Sequence, residues 1–426
     1  MRILVANKFW YRRAGLERVM FDEITWLQEA GHEVAHFSTQ HPENDASSWS
    51  DYFAPYLEIG MGGELTARQN VIAARRMFWN TEAARLFAGL LADFRPDVVH
   101  VHGIHRQISP SILLEARRAQ VPVVQSLHDY HPICAAGDLL LGGRRACNPP
   151  RCGAVNVLPC VIHGCVQHSS SRSALAAAEL LSRRWLSRVP NLVDAFISPS
   201  HYMAAAVRAG GFDRGPIHVL PNAVPLRDEP SPGAGDRFFV YAGRLSREKG
   251  LVTLLRAVRV AGVPLMVAGD GPLKKEIAAA APPTVTLLGR LDGPAVDDLL
   301  ARCRAAVVPS EWAENAPMAV LEPMSLGRPV VASRMGGIPE QVRDGREGVL
   351  ITAGDTLGLA AALRLLADDE ALAARLGAAG RARARALFDP ERHTAGLLRV
   401  YASVLGGHRP NAAHADGPSG RRTPRA

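Results

Sequence analysis

No stretch of this chain as long as a membrane helix is free of charge, proline and glycine, which excludes a helical membrane-spanning protein. The apolar run at residues 3–6 is too short for a secretory signal and Lys8 interrupts it, so the expected location is the cytoplasm. Cysteines are few, six in all, and in a reducing compartment they are expected as thiols rather than disulfides. Any excess of one sign of charge is also small. The formal net charge is +8, of which residues 406–426 supply +3 through Arg409, Arg421, Arg422 and Arg425 against Asp416. That segment has almost no large apolar residues and is expected to be a disordered tail. The +5 left for the other residues is too little for a nucleic-acid surface and suits anionic substrates or an anionic membrane face.

What is present is an ordinary globular composition, 47% hydrophobic and 21% charged, in 426 residues, too many for one core. Short apolar runs at 2–6, 33–37, 97–101, 122–127 and 194–197 read as strands, with a helix at about 16–30 between the first two. The same rhythm returns at 238–241, 265–268, 285–288, 305–308 and 329–332. Strands alternating with helices predict parallel sheets and an α/β class. Residues 221–236, rich in proline, glycine and charge, read as an interdomain linker. The expected division is a first domain at 1–220, a second at 221–390, a C-terminal helix at 391–405 and the tail at 406–426.

Open α/β sheets bind ligands beyond the carboxyl ends of their strands, and the residues that carry chemistry fall there. Residues 243–250 follow a strand and hold Arg244 and Lys249 between Gly243 and Gly250. A planar fork of donors and a compact ammonium can fold over a diphosphate. Residues 314–322 follow the 305–308 strand. Pro317 suits a first helical position, which leaves the first-turn amides, with Asn315, Ala316 and Met318 about them, free to attract phosphate. Glu322 leans back toward that anion site and needs neutral donors there, such as ribose hydroxyls. Glu314, in the loop, could serve sugar hydroxyls in the same way. The competing reading makes Glu314 a helix cap and Glu322 a solvated residue; Leu321 and Pro323 weaken it for Glu322. Gly269 and Gly271 read as a tight turn whose backbone can approach other loops closely. No Asp-x-Asp pair suited to Mg2+ lies at a strand end, and no carboxylate stands out as a nucleophile.

Five of the six cysteines lie between Cys134 and Cys165. Cys147 and Cys152 form one C-x4-C pair and Cys160 and Cys165 another, at the wide edge of zinc-ligand spacing. Residues 137–171 have little periodicity and need a local staple, so a structural zinc on these four is expected, with reduced, buried thiols as the alternative. Residues 66–91 read as an amphipathic helix carrying Arg68, Arg75, Arg76 and Arg85 near Phe78, Trp79, Phe87 and Leu90. Residues 179–189 add Arg183, Arg184, Trp185 and Arg188. Interleaved basic and aromatic residues suit peripheral contact with anionic lipid; core-facing helices with solvated backs are the alternative.

Taken together these residues resemble the retaining family-4 (group 1) glycosyltransferases, over residues 2–405 and most closely over 241–350. Glu314 and Glu322 match the family's E-x7-E signature, and Arg244 and Lys249 its phosphate-binding cations. Residues 220–224 look like its interdomain motif, and 333–340, with Gly336, Gly337 and Glu340, like the strand and loop after its donor site. Gly15 matches the second glycine of its phosphate-facing loop, the first being Ala14 here. His128 matches a histidine beside the sugar and reacting centre, with His102 and Asp129 as further acceptor-side candidates. The resemblance implies two Rossmann-like domains facing across a cleft, the GT-B arrangement. It implies transfer of a sugar from a UDP- or GDP-sugar to an acceptor hydroxyl with retention of configuration. No catalytic cofactor is expected, Arg244 and Lys249 standing in for a metal. The expected partners are the nucleotide-sugar donor and a carbohydrate or lipid-linked acceptor of cell-surface polysaccharide or glycolipid biosynthesis, with peripheral contact at the inner membrane face. The alternatives are a nucleotide-sugar epimerase or hydrolase on the same fold, and a non-catalytic sugar-binding protein.

Overall fold

A computed structural model describes residues 1–57, 66–143, 145–147, 152, 156–186, 189–212, 215–226 and 236–407. Two six-stranded parallel sheets organise them. The first is built from β1 (Arg2–Ala6), β2 (Glu33–Phe37), β3 (Val98–Val101), β4 (Val123–Ser126), β5 (Ala195–Ser198) and β6 (Ile217–Val219), in the order β6-β5-β4-β3-β1-β2. The second comprises β7 (Phe239–Ala242), β8 (Leu265–Ala268), β9 (Val285–Gly289), β10 (Ala305–Val308), β11 (Val330–Ser333) and β12 (Gly348–Ile351), in the order β9-β8-β7-β10-β11-β12. Their central strands are apolar without alternation because helices cover both faces: every residue of β3, β4, β10 and β11 is buried. The α/β class with two parallel-sheet domains is therefore correct.

β6 and β12 are edge strands that the hydrophobic pattern does not predict. Ile217–Val219 has only three residues and is half-buried throughout, so its pattern is weak. The other opens on Gly348, whose Cβ would stand 2.2 Å from the Val330 carbonyl oxygen; a glycine there reads as a loop but is required by the strand's approach.

The last helix, Pro390–Gly407, returns to the first sheet. Leu397, Val400, Tyr401 and Val404 pack with Ile3, Val5, Met20 and Val124. Residues 406 and 407 belong to that helix, so it runs past the expected end at 405; the remaining tail residues, 408–426, and linker residues 227–235 lie outside the described set.

The single helix expected over 66–91 is two, Ala67–Phe78 and Thr81–Phe94. Asn80 breaks it. Its side-chain oxygen accepts from the Ala83 amide at 3.1 Å, and its Nδ2 donates to the Gln107 carbonyl at 2.7 Å. The cap begins a new helix and the second bond ties the break to the core. Phe87 and Leu90 are then fully buried, core residues rather than lipid anchors. Arg183 and Arg184 also turn inward. Arg183 pairs with Glu179 at 2.6 Å and donates to the His131 carbonyl at 2.9 Å, while Arg184 donates to that of Gly210 at 2.9 Å. Arg188 lies outside the described residues.

Candidate active site

The carboxyl ends of the two sheets meet, and the residues beyond β7, β10 and β11 interlock. Gly250 closes the 243–250 loop at φ +70°, and a Cβ there would sit 1.9 Å from the Pro309 carbonyl oxygen. Only glycine allows both the left-handed backbone and that approach. The Glu311 amide then donates to the Glu248 carbonyl at 2.8 Å. This contact delivers Lys249 to Glu314: Nζ lies 2.7 Å from Oε1, and Ser310 Oγ donates to the same oxygen at 2.5 Å. The ammonium also lies over the Trp312 ring, 4.9 Å from its centroid. Arg244 is exposed on the same loop, its backbone carbonyl held by the Tyr241 hydroxyl at 2.7 Å.

Two glycine turns buttress these loops. A Cβ on Gly269 would stand 1.9 Å from the Gly243 oxygen, and one on Gly271 2.5 Å from that of Leu245. The 268–272 turn thus makes the close approach expected of it, as a support. Asp270 within it is exposed and paired with Lys274. On the other side the Gly337 amide donates to the Glu314 carbonyl at 2.7 Å, and a Cβ on Gly337 would lie 1.9 Å from the Asn315 oxygen.

Helix Met318–Ser325 follows Pro317, which is extended (ψ 131°) and stands just before the first helical residue, one place earlier than expected. Ala316 is held through its carbonyl by Asn222 Nδ2 at 3.1 Å. Asn315 reaches across: its Nδ2 donates to the backbone carbonyl of His128 at 2.5 Å. Glu322, on the helix's second turn, is not open to the cleft alone. Its carboxylate meets Arg18 Nη1 at 2.9 Å, from helix Gly15–Glu29 of the first domain. Burial raises its pKa despite Arg18, with Asp297 and Asp22 adding to the rise.

In the first domain His128 lies just beyond β4 and His102 just beyond β3. His102 Nδ1 and His128 Nε2 are 2.9 Å apart, the rings stacked at 5.1 Å. Asp129 is bonded instead to His131, at 2.8 Å. Burial opposes its ionisation, but the His131 contacts and His105 hold the carboxyl well below its ordinary range. Gly15 opens its helix with nothing within 4 Å of where a Cβ would be, so no protein neighbour demands a glycine there. Bonds therefore join Lys249, Glu314, Asn315 and His128 in one cluster, and Glu322 with Arg18 in a second.

All six cysteines are free thiols. Cys160 and Cys165 hydrogen-bond each other, and the Gly142 amide donates to Cys165 Sγ at 3.4 Å, drawing that thiol down to about 6. Among the described residues, the groups of three or more possible ligands with atoms mutually within 4.8 Å are Glu23, His100, His102 and His105, Asp129, His131. Neither includes a cysteine, so among the described residues the thiols form no preformed cage.

The sequence pattern gave no role to Arg18, Glu23 or His393, and it placed Glu340 in a motif without naming its partner. The first three lie on helices whose polar positions read as solvated faces, though Arg18 bridges the domains and Glu23 and His393 are buried.

A family model described as Glycosyltransferase Family 4 matches residues 13–228, and one described as Glycosyl transferases group 1 matches 226–383. The chain belongs to the family-4, group 1 glycosyltransferases. This glycosyltransferase is 29% identical to a glycogen synthase of Mycobacterium tuberculosis, over 93% of its own length and 92% of the relative's. It is 26% identical to a GDP-mannose-dependent alpha-mannosyltransferase of Corynebacterium glutamicum, over 65% and 70%. The sucrose-phosphate synthase of Thermosynechococcus elongatus superposes with a TM-score of 0.69 at 18% identity, covering 96% of this chain and all of that one. Anabaena HepE, solved with UDP-glucose, gives 0.61 at 18% identity over 95% of this chain and all of that one. The glycosyltransferase thus has the GT-B fold. No described helix is long and apolar enough to cross a membrane.

Proposed function

We propose that this enzyme transfers a sugar from a UDP- or GDP-sugar to an acceptor hydroxyl with retention of configuration and without a catalytic metal. The acceptor is a carbohydrate or lipid-linked carrier in cell-surface polysaccharide or glycolipid synthesis. The observation that carries the reading is the continuous cluster of Lys249, Glu314, Asn315 and His128 across the interdomain cleft. An ammonium has three donors, so Lys249 can keep Glu314 while meeting a diphosphate, with Arg244 and the amides at Met318 beside it. Charge grows on the phosphate as the glycosidic bond breaks, and these groups stabilise it. The bond from the anomeric carbon to phosphate oxygen breaks on the face where the bond to acceptor oxygen forms, and the departing phosphate oxygen takes the acceptor's proton. Glu314 orients sugar hydroxyls, and Glu322 shares or exchanges Arg18 for the ribose. Gly15, unconstrained by any neighbour, leaves room for the donor.

Incubation with a panel of sugar nucleotides, with and without EDTA, tests this. Acceptor-dependent nucleotide release that survives EDTA is expected. A new sugar nucleotide without acceptor would indicate epimerisation, and strict dependence on Mg2+ or Mn2+ would overturn the assigned donor site.

Two further parts of the reading are peripheral membrane contact and a structural zinc. Val71, Ile162 and Trp185 are 69%, 66% and 57% exposed, on the first domain with exposed Arg68 and Arg75; flotation with anionic liposomes is expected, and no binding at low salt would reject it. The Cys160–Cys165 pair supplies one edge of a zinc tetrahedron, toward which Cys147 and Cys152 would have to close. Absence of stoichiometric zinc from purified protein would reject that.

A further inference from the structure

Glu23 lies at the centre of a buried chain of histidines that the reaction as described does not use. Its carboxylate Oε1 is 2.9 Å from His393 Nε2, and His393 Nδ1 is 2.8 Å from the Pro221 carbonyl oxygen. A carbonyl and a carboxylate both only accept. His393 therefore carries protons on both nitrogens, an imidazolium paired with ionised Glu23. Burial disfavours both charges, yet their mutual contact wins: Glu23 lies below its ordinary range and His393 above.

The other carboxylate oxygen, Oε2, faces His102 Nε2 at 3.6 Å and His100 Nδ1 at 3.9 Å. His100 is tied elsewhere, to the Tyr401 hydroxyl at 2.8 Å and Ser126 Oγ at 2.9 Å. At 3.6 Å the His102 contact is electrostatic rather than a formed hydrogen bond, but electrostatics still selects the tautomer. A bare nitrogen lone pair facing a buried carboxylate is repelled and an N–H is attracted. His102 is fully buried and neutral, so with its proton on Nε2 its Nδ1 is bare. That Nδ1 is 2.9 Å from His128 Nε2 and can only accept. His128, also kept neutral by burial against the pull of Glu23 and Asp129, must then carry its single proton on Nε2.

We propose that Glu23 is a positioning residue for the transfer reaction: through His102 it fixes the tautomer of His128, which therefore offers the donor sugar a bare Nδ1. His128 on this account accepts a hydrogen bond from a sugar hydroxyl and donates none. The proposal rests on the reading that places His128 beside the sugar.

Nitrogen-15 spectra of histidine-labelled protein test it, with the His128 signals assigned from His128→Gln. The expected wild-type pattern is a protonated Nε2 and a bare Nδ1 at His128. Glu23→Gln, which can present either a donor or an acceptor to His102, should shift that pattern toward the other tautomer. It should lower kcat by about 10–100-fold, the usual loss when a functional histidine loses its orienting partner, with less than about a threefold change in donor KM. His102→Gln, able to donate to Glu23 and accept from His128, should keep the Nε2–H form. A wild-type His128 protonated on Nδ1, or a pattern indifferent to Glu23→Gln, would overturn the proposal; the wild-type spectrum decides even if a variant fails to fold. The expected spectra together with no sugar transfer from any donor would instead sink the functional reading.

Discussion

Lys249 is three-quarters buried between a carboxylate and an indole ring, so its removal has two consequences that different measurements separate. Glu314, 6% exposed, is left with Ser310 alone, and Lys249→Ala should lower the melting temperature because a buried charge has lost its partner. The diphosphate also loses a cation at the atom where charge develops, which should lower kcat by about 10²–10³-fold, as for one preorganised oxyanion donor. Glu322→Gln should behave otherwise. The ribose does not change during the reaction, so losing its partner should raise donor KM and spare kcat. Steady-state kinetics with varied donor, after a melting check, reads both; a near-normal kcat for Lys249→Ala, or an unmoved donor KM for Glu322→Gln, contradicts the assigned roles. Lys249 and Glu314 were legible because each falls beyond a strand, among glycines that permit turns and close approach. Arg18, Glu23 and His393 were not. Each reads locally as one polar position of an amphipathic helix, and Glu23 and His393 are separated by 370 residues of chain.

The loop after β11 shows how one element holds another. Helix His201–Ala209 starts at Ser200, whose Oγ accepts from the Met203 amide at 3.2 Å. The amides of His201 and Tyr202 donate to the two carboxylate oxygens of Glu340, each at 2.7 Å, so the second domain caps a helix of the first. Charge at the positive end of a helix adds to those bonds. Gly337, three residues earlier, is pressed between the Asn315 carbonyl, 1.9 Å from its Cβ position, and Ser200 Oγ at 2.9 Å. Gly337→Ala should therefore displace the 314–315 loop and reduce activity strongly. Gly15→Ala meets no protein atom and should leave the melting temperature unchanged or higher, by up to about 1 kcal/mol of stability, so any rise in its donor KM reports ligand contact. Equal melting losses in the two variants would contradict this account of the loop. The glycines and Glu340 were visible as a motif, but its partner helix lies about 140 residues earlier and no local pattern names it. The division of 66–91 was missed for a similar reason: Asn80 caps locally, but its bond to Gln107 makes the break part of the core.

At the scale of the whole molecule, the class and most of the strands were readable because parallel strands buried on both faces leave unbroken apolar runs. The buried histidines were not, since a histidine at a strand end is as compatible with solvent as with a core. Their burial has a consequence for the entire fold. Burial pushes His36 and His100 down to about 4 and lowers His102, His105 and His128 below the ordinary 6.5. Below pH 6.5 the unfolded chain therefore binds protons that the native protein refuses, and stability falls as pH falls through that value. Each such histidine withdraws about 1.4 kcal/mol per pH unit once its unfolded form is protonated and until the folded pKa is reached. His393 has the opposite sign: its raised value contributes stability that is fully present below 6.5 and lost only as pH rises through the folded value. Glu17, Asp22 and Glu322, raised by burial, bind protons earlier in the native state and offset part of the loss. Their unfolded values are near 4, so that compensation grows toward the acid end, after the histidines have begun to act. Above pH 7 the decline of the His393 contribution is the change expected in the melting temperature, which should drop steeply between pH 6.5 and 5. His36→Phe should flatten the drop by one proton's worth, because His36 stacks on Trp10 at 4.0 Å and phenylalanine can take that place without titrating. A melting temperature that is level from pH 7.5 to 5 would mean that these histidines are not buried as the structure has them.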